Sequence, residues 1–232
     1  MTEEFARIGA MSVLNGFTTH TDVVLPYLME LATPEQAKRW LPDLAAGRRI
    51  GAIAMSEPGT GSDLQGIRTT ARRDGTGDGA RGLVHLMERL PRERLSTAVT
   101  GCAFARAALG WTIDYVTGRT AFGQRVADFQ NTQFTLAELL TEIEVTQAYL
   151  EDAVSRLDRG QLSAVDAAKA KWWTSEMHKR VVDRCLQLYG GYGYMEDYPI
   201  ARAYRDTRVT TIYGGTTEIM KLIIGRDIVG RP

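Results

Sequence analysis

Two glycine pairs near the C-terminus constrain this chain more than any other feature. The first lies in Gln187-Leu188-Tyr189-Gly190-Gly191-Tyr192-Gly193-Tyr194-Met195, the second in Ile212-Tyr213-Gly214-Gly215-Thr216-Thr217-Glu218-Ile219-Met220. Gly190-Gly191 follows a long amphipathic run and reads as a helix C-cap, because glycine enters the left-handed region without steric cost. Gly214-Gly215-Thr216 precedes Ile219, Leu222 and Ile223, so it reads as a loop into a helix that Thr216 or Thr217 caps. A helix start bared by glycine offers free N–H groups to an anion or a polar ring edge. Taken alone, both pairs read as caps rather than as a cofactor site.

Most of what precedes them is also helical in pattern. Thr33-Pro34-Glu35-Gln36 has a cap, a proline at the first helical position and a capping-box glutamine, opening a helix through Trp40 and Leu44 that stops at Gly47. Ile50–Met55 is a short apolar run expected to be a strand or extended segment. It leads into Ser56-Glu57-Pro58-Gly59-Thr60-Gly61-Ser62-Asp63, which by itself reads as a surface turn. Leu83, Leu86, Met87 and Leu90 predict a short helix broken by Pro91. A second helix is expected from about Arg92 to Thr117, with Leu95, Val99, Cys102, Leu109, Ile113 and Val116 inward, stopping at Gly118. A third, Thr132 to Arg159, carries a stripe of Phe134, Leu136, Leu139, Leu140, Ile143, Tyr149, Leu150, Val154 and Leu157. A fourth starts at Ser163 with Asp166 in a capping box and runs to Tyr189, and the last covers Thr217 to Val229. Long helices with short links predict a mainly α fold with a C-terminal antiparallel four-helix bundle.

The order of motifs resembles the acyl-CoA dehydrogenase family. The matching pieces are Gln187 to Tyr194, Tyr198-Pro199, Arg205-Asp206 and Tyr213 to Thr216. Upstream they are Arg119-Thr120-Ala121-Phe122-Gly123, Phe129-Gln130 and Ser56 to Asp63. The resemblance divides the chain into a partial N-terminal helical domain over 1–75, a linker over 76–81 and the bundle over 82–232. Thr69 to Gly75 resembles the entry to the family's middle β-domain, yet Gly79 to Leu83 already resembles the entry to its bundle. No stretch between them alternates with period two for long enough to build that β-barrel, so the middle domain is read as absent. Gly75, Gly77 and Gly79 have a phosphate-loop spacing without its context and read as linker.

The resemblance also implies a chemistry. Family members use FAD to remove hydrogen across the α,β bond of an acyl-CoA thioester and pass electrons to an acceptor flavoprotein. Many place their base glutamate where this chain has Gly214. A long-chain-like branch instead sets it on the first bundle helix, within a pattern matched by Leu90-Pro91-Arg92-Glu93-Arg94-Leu95. That makes Glu93 the expected base, although alone it reads as a first-turn glutamate favoured by the helix dipole. Ser56, Ser62, Arg119, Gln130, Gln187, Leu188, Tyr189, Gly190, Gly191, Thr216, Thr217 and Glu218 are the implied flavin contacts. Ser62, Pro91, Arg92, Arg94, Gly214 and Gly215 are the implied substrate contacts. Arg119, Gln130 and Gln187 to Gly191 correspond to positions that reach a neighbouring subunit's flavin, implying a homo-oligomer or a hetero-oligomer with a full-length paralogue. A non-catalytic or partner-dependent subunit is the alternative reading, since the missing domain is one wall of the site.

Composition narrows the rest. The 28 acidic and 28 basic side chains leave no basic surplus for nucleic acid. The acidic start Met1-Thr2-Glu3-Glu4 lacks a signal-peptide pattern, and no apolar run nears the roughly 20 residues of a membrane span. Cys102 and Cys185 read as buried and reduced, and His20, His85 and His178 have no metal-ligand spacing. A cytoplasmic protein is the expectation.

Overall fold

The structure, a computed structural model, describes residues 1–70 and 82–230. The expected linker over 76–81 and its glycine spacing lie outside the described residues. Helices α1 (Thr2–Arg7) and α2 (Met11–Thr18) come first. α2 passes through a π-helical turn, Thr19–Val24, into α3 (Leu25–Leu31). α4 (Pro34–Ala45) has the predicted capping box, with the Gln36 N–H donating to the Thr33 hydroxyl and the Thr33 N–H to the Gln36 side chain. The bundle comprises α5 (Gly82–Gly118), α6 (Gln130–Asp158), α7 (Ala164–Tyr189), α8 (Pro199–Thr207) and α9 (Thr217–Ile228). A two-residue hairpin, β1 (Thr120–Ala121) with β2 (Gln124–Arg125), turns the chain from α5 into α6.

Helix α6 runs opposite to α5 and α7, and α8 and α9 close the remaining side against α7. Leu95, Ala98, Cys102 and Leu109 meet Leu139, Ile143 and Leu150, with Ala170, Met177, Val181 and Cys185 from α7. Their spacing of three and four residues gives each helix one buried stripe. Small residues bring α5 and α7 close: a Cβ on Gly101 would lie 3.4 Å from Thr174. A second cluster packs Ala6, Met11 and Leu14 on Phe104 of α5, which seats the N-terminal helices on the bundle. No helix among the described residues is long and apolar enough to cross a membrane.

Several expectations are corrected. Pro91 does not divide two helices; it lies inside a continuous α5. Leu86, Leu90, Arg94, Leu95 and Ala98 are all buried, and one unbroken helix puts them on a common side, so packing outweighs the lost N–H. Of the two readings of Ile50–Met55, strand or extended segment, the strand does not form: the run pairs with no strand among the described residues, and Ile50 is 84% exposed. Ile113 is exposed rather than inward, as are Phe134, Leu140, Tyr149 and Val154 of the α6 stripe. The reason is geometric: α6 packs on one side only, so its apolar band is wider than the strip its neighbours cover.

Candidate functional site

Two adjoining cavities of about 400 and 340 Å³ lie between the N-terminal helices, α5 and the turn before α9. They share Met55, Tyr213 and Gly214. The first is also lined by Asn15, Val23, Ile53, Glu93 and Thr97, the second by Ser56, Ser62, Arg94, Gly215 and Thr216.

Glu93 is the carboxylate of the first cavity. Burial raises its carboxyl above the ordinary range, opposed by a hydrogen bond from Tyr27 and by the charges of Arg94 and Arg89. The Tyr27 hydroxyl donates to Glu93 Oε1 at 3.1 Å. Burial and the Glu93 carboxylate push the Tyr27 phenol upward in turn. Arg89 lies 5.3 Å from the Tyr27 ring centre and pairs with Glu30, which fixes α3 against α5. Tyr27 had no sequence signal, because an aromatic in an amphipathic helix reads as core and its partner is 66 residues away.

The turn before α9 is held by two buried cations. Arg94 Nε donates to the Gly214 carbonyl at 3.2 Å and Lys171 Nζ to the Gly215 carbonyl at 2.5 Å. Both glycines have positive φ, +66° and +104°, which restricts other residues there. Thr216 is the cap of α9, accepting from the Ile219 N–H. The buried Thr217 hydroxyl donates to Glu176, whereas the Glu218 carboxylate is exposed in the first turn. Lys171 was also missed; a lysine within an amphipathic run reads as solvent-facing.

The Ser56–Asp63 segment is a tight turn, closed by paired backbone hydrogen bonds between Glu57 and Thr60. The Glu57 carboxylate accepts from the Arg68 and Thr69 N–H groups, fixing the return of the loop. Ser56 and Ser62 thereby face the second cavity together with Gly214 and Gly215. Pro91 and the exposed Arg92 are on α5 outside the lining of either cavity.

The remaining sequence-predicted residues gather elsewhere. Arg119 sits 5.4 Å from the ring centre of Tyr192, the residue that follows the Gln187–Gly191 stretch, and Gln130 opens α6. Tyr189 is core, stacked on Tyr115 at 4.1 Å with its hydroxyl donating to the Trp111 carbonyl. Gln187, Gly190, Gly191 and Arg119 are exposed, and Leu188 is half-buried. Glu93 and Gly118 mark the two ends of this arrangement on one helix, about 38 Å apart at 1.5 Å per residue. One set offers hydroxyls and a helix start, suited to a polar ring edge. The other offers a guanidinium and exposed backbone, suited to a pyrophosphate. A flavin dinucleotide fits these chemistries.

Residues 80–229 match the family described as acyl-CoA dehydrogenase, C-terminal domain, and residues 1–48 match acyl-CoA dehydrogenase, N-terminal domain. The long-chain specific acyl-CoA dehydrogenase of Sus scrofa mitochondria is 35% identical, with 92% of this chain aligned to 69% of that protein. The aligned stretch of 295 positions exceeds the 232 residues of this chain, so the relative carries residues with no counterpart here. An acyl-CoA dehydrogenase structure from Geobacillus kaustophilus superposes with a TM-score of 0.92 at 33% identity, covering 98% of this chain and 80% of that one. A Mycobacterium smegmatis glutaryl-CoA dehydrogenase in complex with FADH2 shares the fold, with a TM-score of 0.88 at 21% identity over 94% of this chain and 75% of that one.

Proposed function

The chain belongs to the acyl-CoA dehydrogenase family, and from that premise we propose that it dehydrogenates the α,β bond of an acyl-CoA thioester with Glu93 as the base. One observation carries this reading: a half-buried carboxylate of raised pKa, oriented by Tyr27, faces a cavity beside Gly214. A base matched to α-proton removal needs that combination of position and raised pKa. Gly214 itself has no side chain to serve.

Bound FAD supplies the hydride acceptor of the reaction. Ser56, Ser62, Thr216 and the start of α9 with Thr217 and Glu218 would hold its ring end. Arg119, Gln130 and Gln187 to Gly191 of a second copy would hold its pyrophosphate end. Gly214, Gly215 and Arg94 border the space for the thioester, and Val23, Ile53 and Met55 give the acyl chain apolar wall. An electron-transferring flavoprotein is the proposed acceptor of the reducing equivalents.

Anaerobic addition of acyl-CoA to the flavin-loaded protein tests this directly. Bleaching of the flavin is expected in the wild type, and its loss with flavin retained is expected in Glu93→Gln. Unchanged bleaching in that variant refutes the assignment.

A partner-dependent form of the same activity is favoured by a separate observation. Ile50, Val84 and Met87, on the segments before and after residues 71–81, are exposed apolar side chains among the described residues. A full-length paralogue would cover them. Co-expression with such a paralogue separates the readings, since flavin confined to the mixed complex supports the partner-dependent one.

A further inference from the structure

Lys171 is wholly enclosed, at 0% exposure, on α7 beneath the turn that borders both cavities. Its hydrogen-bond acceptor is the Gly215 carbonyl, a peptide group rather than a carboxylate. Burying an ammonium this way is costly, and an apolar side chain of similar volume would be cheaper to enclose. The lysine therefore makes sense through what it holds rather than through what it adds to packing.

What it holds is tightly defined. Gly214, whose Cβ position lies 3.9 Å from the Lys171 side chain, lines both cavities; Gly215 lines one. A Cβ on Gly215 would lie 2.5 Å from the Met220 methyl, so the turn is wedged against α9. Arg94, reaching from α5, takes the neighbouring Gly214 carbonyl. Two cations on separate helices thus fix consecutive peptide groups.

We propose that Lys171 is a positioning residue for the candidate site: with Arg94 it pins the Gly214–Gly215 turn to the bundle, and the pin is firm only while the lysine is charged. The use of that turn in holding a thioester rests on the dehydrogenase reading, while the pin itself does not. A charged donor makes a stronger hydrogen bond to a carbonyl than a neutral amine does. Burial, followed by the charge of Arg94, lowers the Lys171 pKa to about 8, against the opposing pull of Glu176 on α7 and Glu218 on α9. The turn therefore loosens as pH rises through that value.

The Met220 methyl reports on the turn directly. In full-length protein carrying ¹³C-methyl methionine, with Met220→Leu as the assignment control, its resonance is expected to move with a midpoint near pH 8. Lys171→Arg keeps its charge and should hold the resonance fixed over the same range. Lys171→Met should show the alkaline position at every pH while melting no lower than wild type. A wild-type resonance that ignores pH overturns the proposal, as does a Lys171→Arg resonance that titrates like wild type. A Lys171→Met protein that melts lower with Met220 unshifted makes the lysine merely structural and overturns it too. If Lys171→Met fails to fold, the comparison of wild type with Lys171→Arg decides. Flavin bleaching followed over the same pH range keeps the two readings apart. Absent bleaching with a titrating Met220 sinks the dehydrogenase reading alone, and normal bleaching with a static Met220 sinks the pin alone.

Discussion

His20 Nδ1 accepts the Gly51 N–H at 2.9 Å, while its Nε2 lies 3.2 Å from the Leu44 carbonyl. An acceptor at Nδ1 places the ring proton on Nε2, so one neutral imidazole ties the end of α4 and the extended 50–55 segment to the π-helical turn. Gly51 fits there because a Cβ would lie 2.6 Å from Val24. Since Ile53 and Met55 continue from this anchor into the first cavity, the tie sets one wall of the site. His20→Ala is expected to lower stability by about 1–3 kcal/mol, the usual cost of unpaired backbone groups. Chemical denaturation measures this, and an unchanged midpoint would contradict it.

Tyr27→Phe tests how the base is tuned. The Tyr27 hydroxyl stabilises the ionised form of Glu93 against the upward push of burial. Removing it should raise the Glu93 pKa further, so a larger fraction stays protonated and the acid limb of the pH–rate profile moves to higher pH. The measurement is flavin reduction by acyl-CoA across the acid range in both proteins. A limb that moves down, or stays, refutes the proposed tuning.

The distance between the two residue sets makes complementation possible. Glu93→Gln and Arg119→Ala chains should each be inactive alone, the first without a base and the second with poor flavin retention. Co-expressed in equal amounts and pairing at random, they should recover about a quarter of the sites, because one site of each mixed pair draws Glu93 from the Arg119→Ala chain and Arg119 from the Glu93→Gln chain. Flavin content and reduction amplitude of the mixed preparation give the result. No recovery would mean that both sets serve one chain.

His178 predicts an acid sensitivity unrelated to the site. It is fully buried on α7, its Nδ1 3.0 Å from the Thr207 hydroxyl, and burial lowers its pKa to about 4. The folded-state pKa lies below the unfolded value of about 6.5, so the unfolded chain binds the proton first. Stability is therefore complete above pH 6.5 and falls toward pH 4, by on the order of 3 kcal/mol. Urea denaturation over that range should show the slope in wild type, and it should be reduced in His178→Phe.

Much of this was legible beforehand where the signal is local. The capping box at Thr33, the Ser163 and Thr216 caps and the helix stop at Gly190 all follow from residues within a turn of one another. Glu93 was singled out by resemblance, and the structure sets it in the lining of the first cavity, while its role as base is a proposal. Tyr27 and Lys171 were not, because each acts on a partner 66 and 44 residues away and carries no mark of it locally. Pro91 shows the opposite failure: its local rule is strong, but burial of Leu86, Leu90 and Leu95 on one side overrides it.

Neither apolar cluster, the one in the bundle or the one around Phe104, includes a residue from 18 to 94. The fold therefore has a natural seam, with α1 and α2 docking on α5 through residues that lie well outside it. Extra chain entering between the N-terminal helices and α5 would leave both clusters intact, as a cassette is set into a frame. An engineer could graft a new wall onto the site at the same joint.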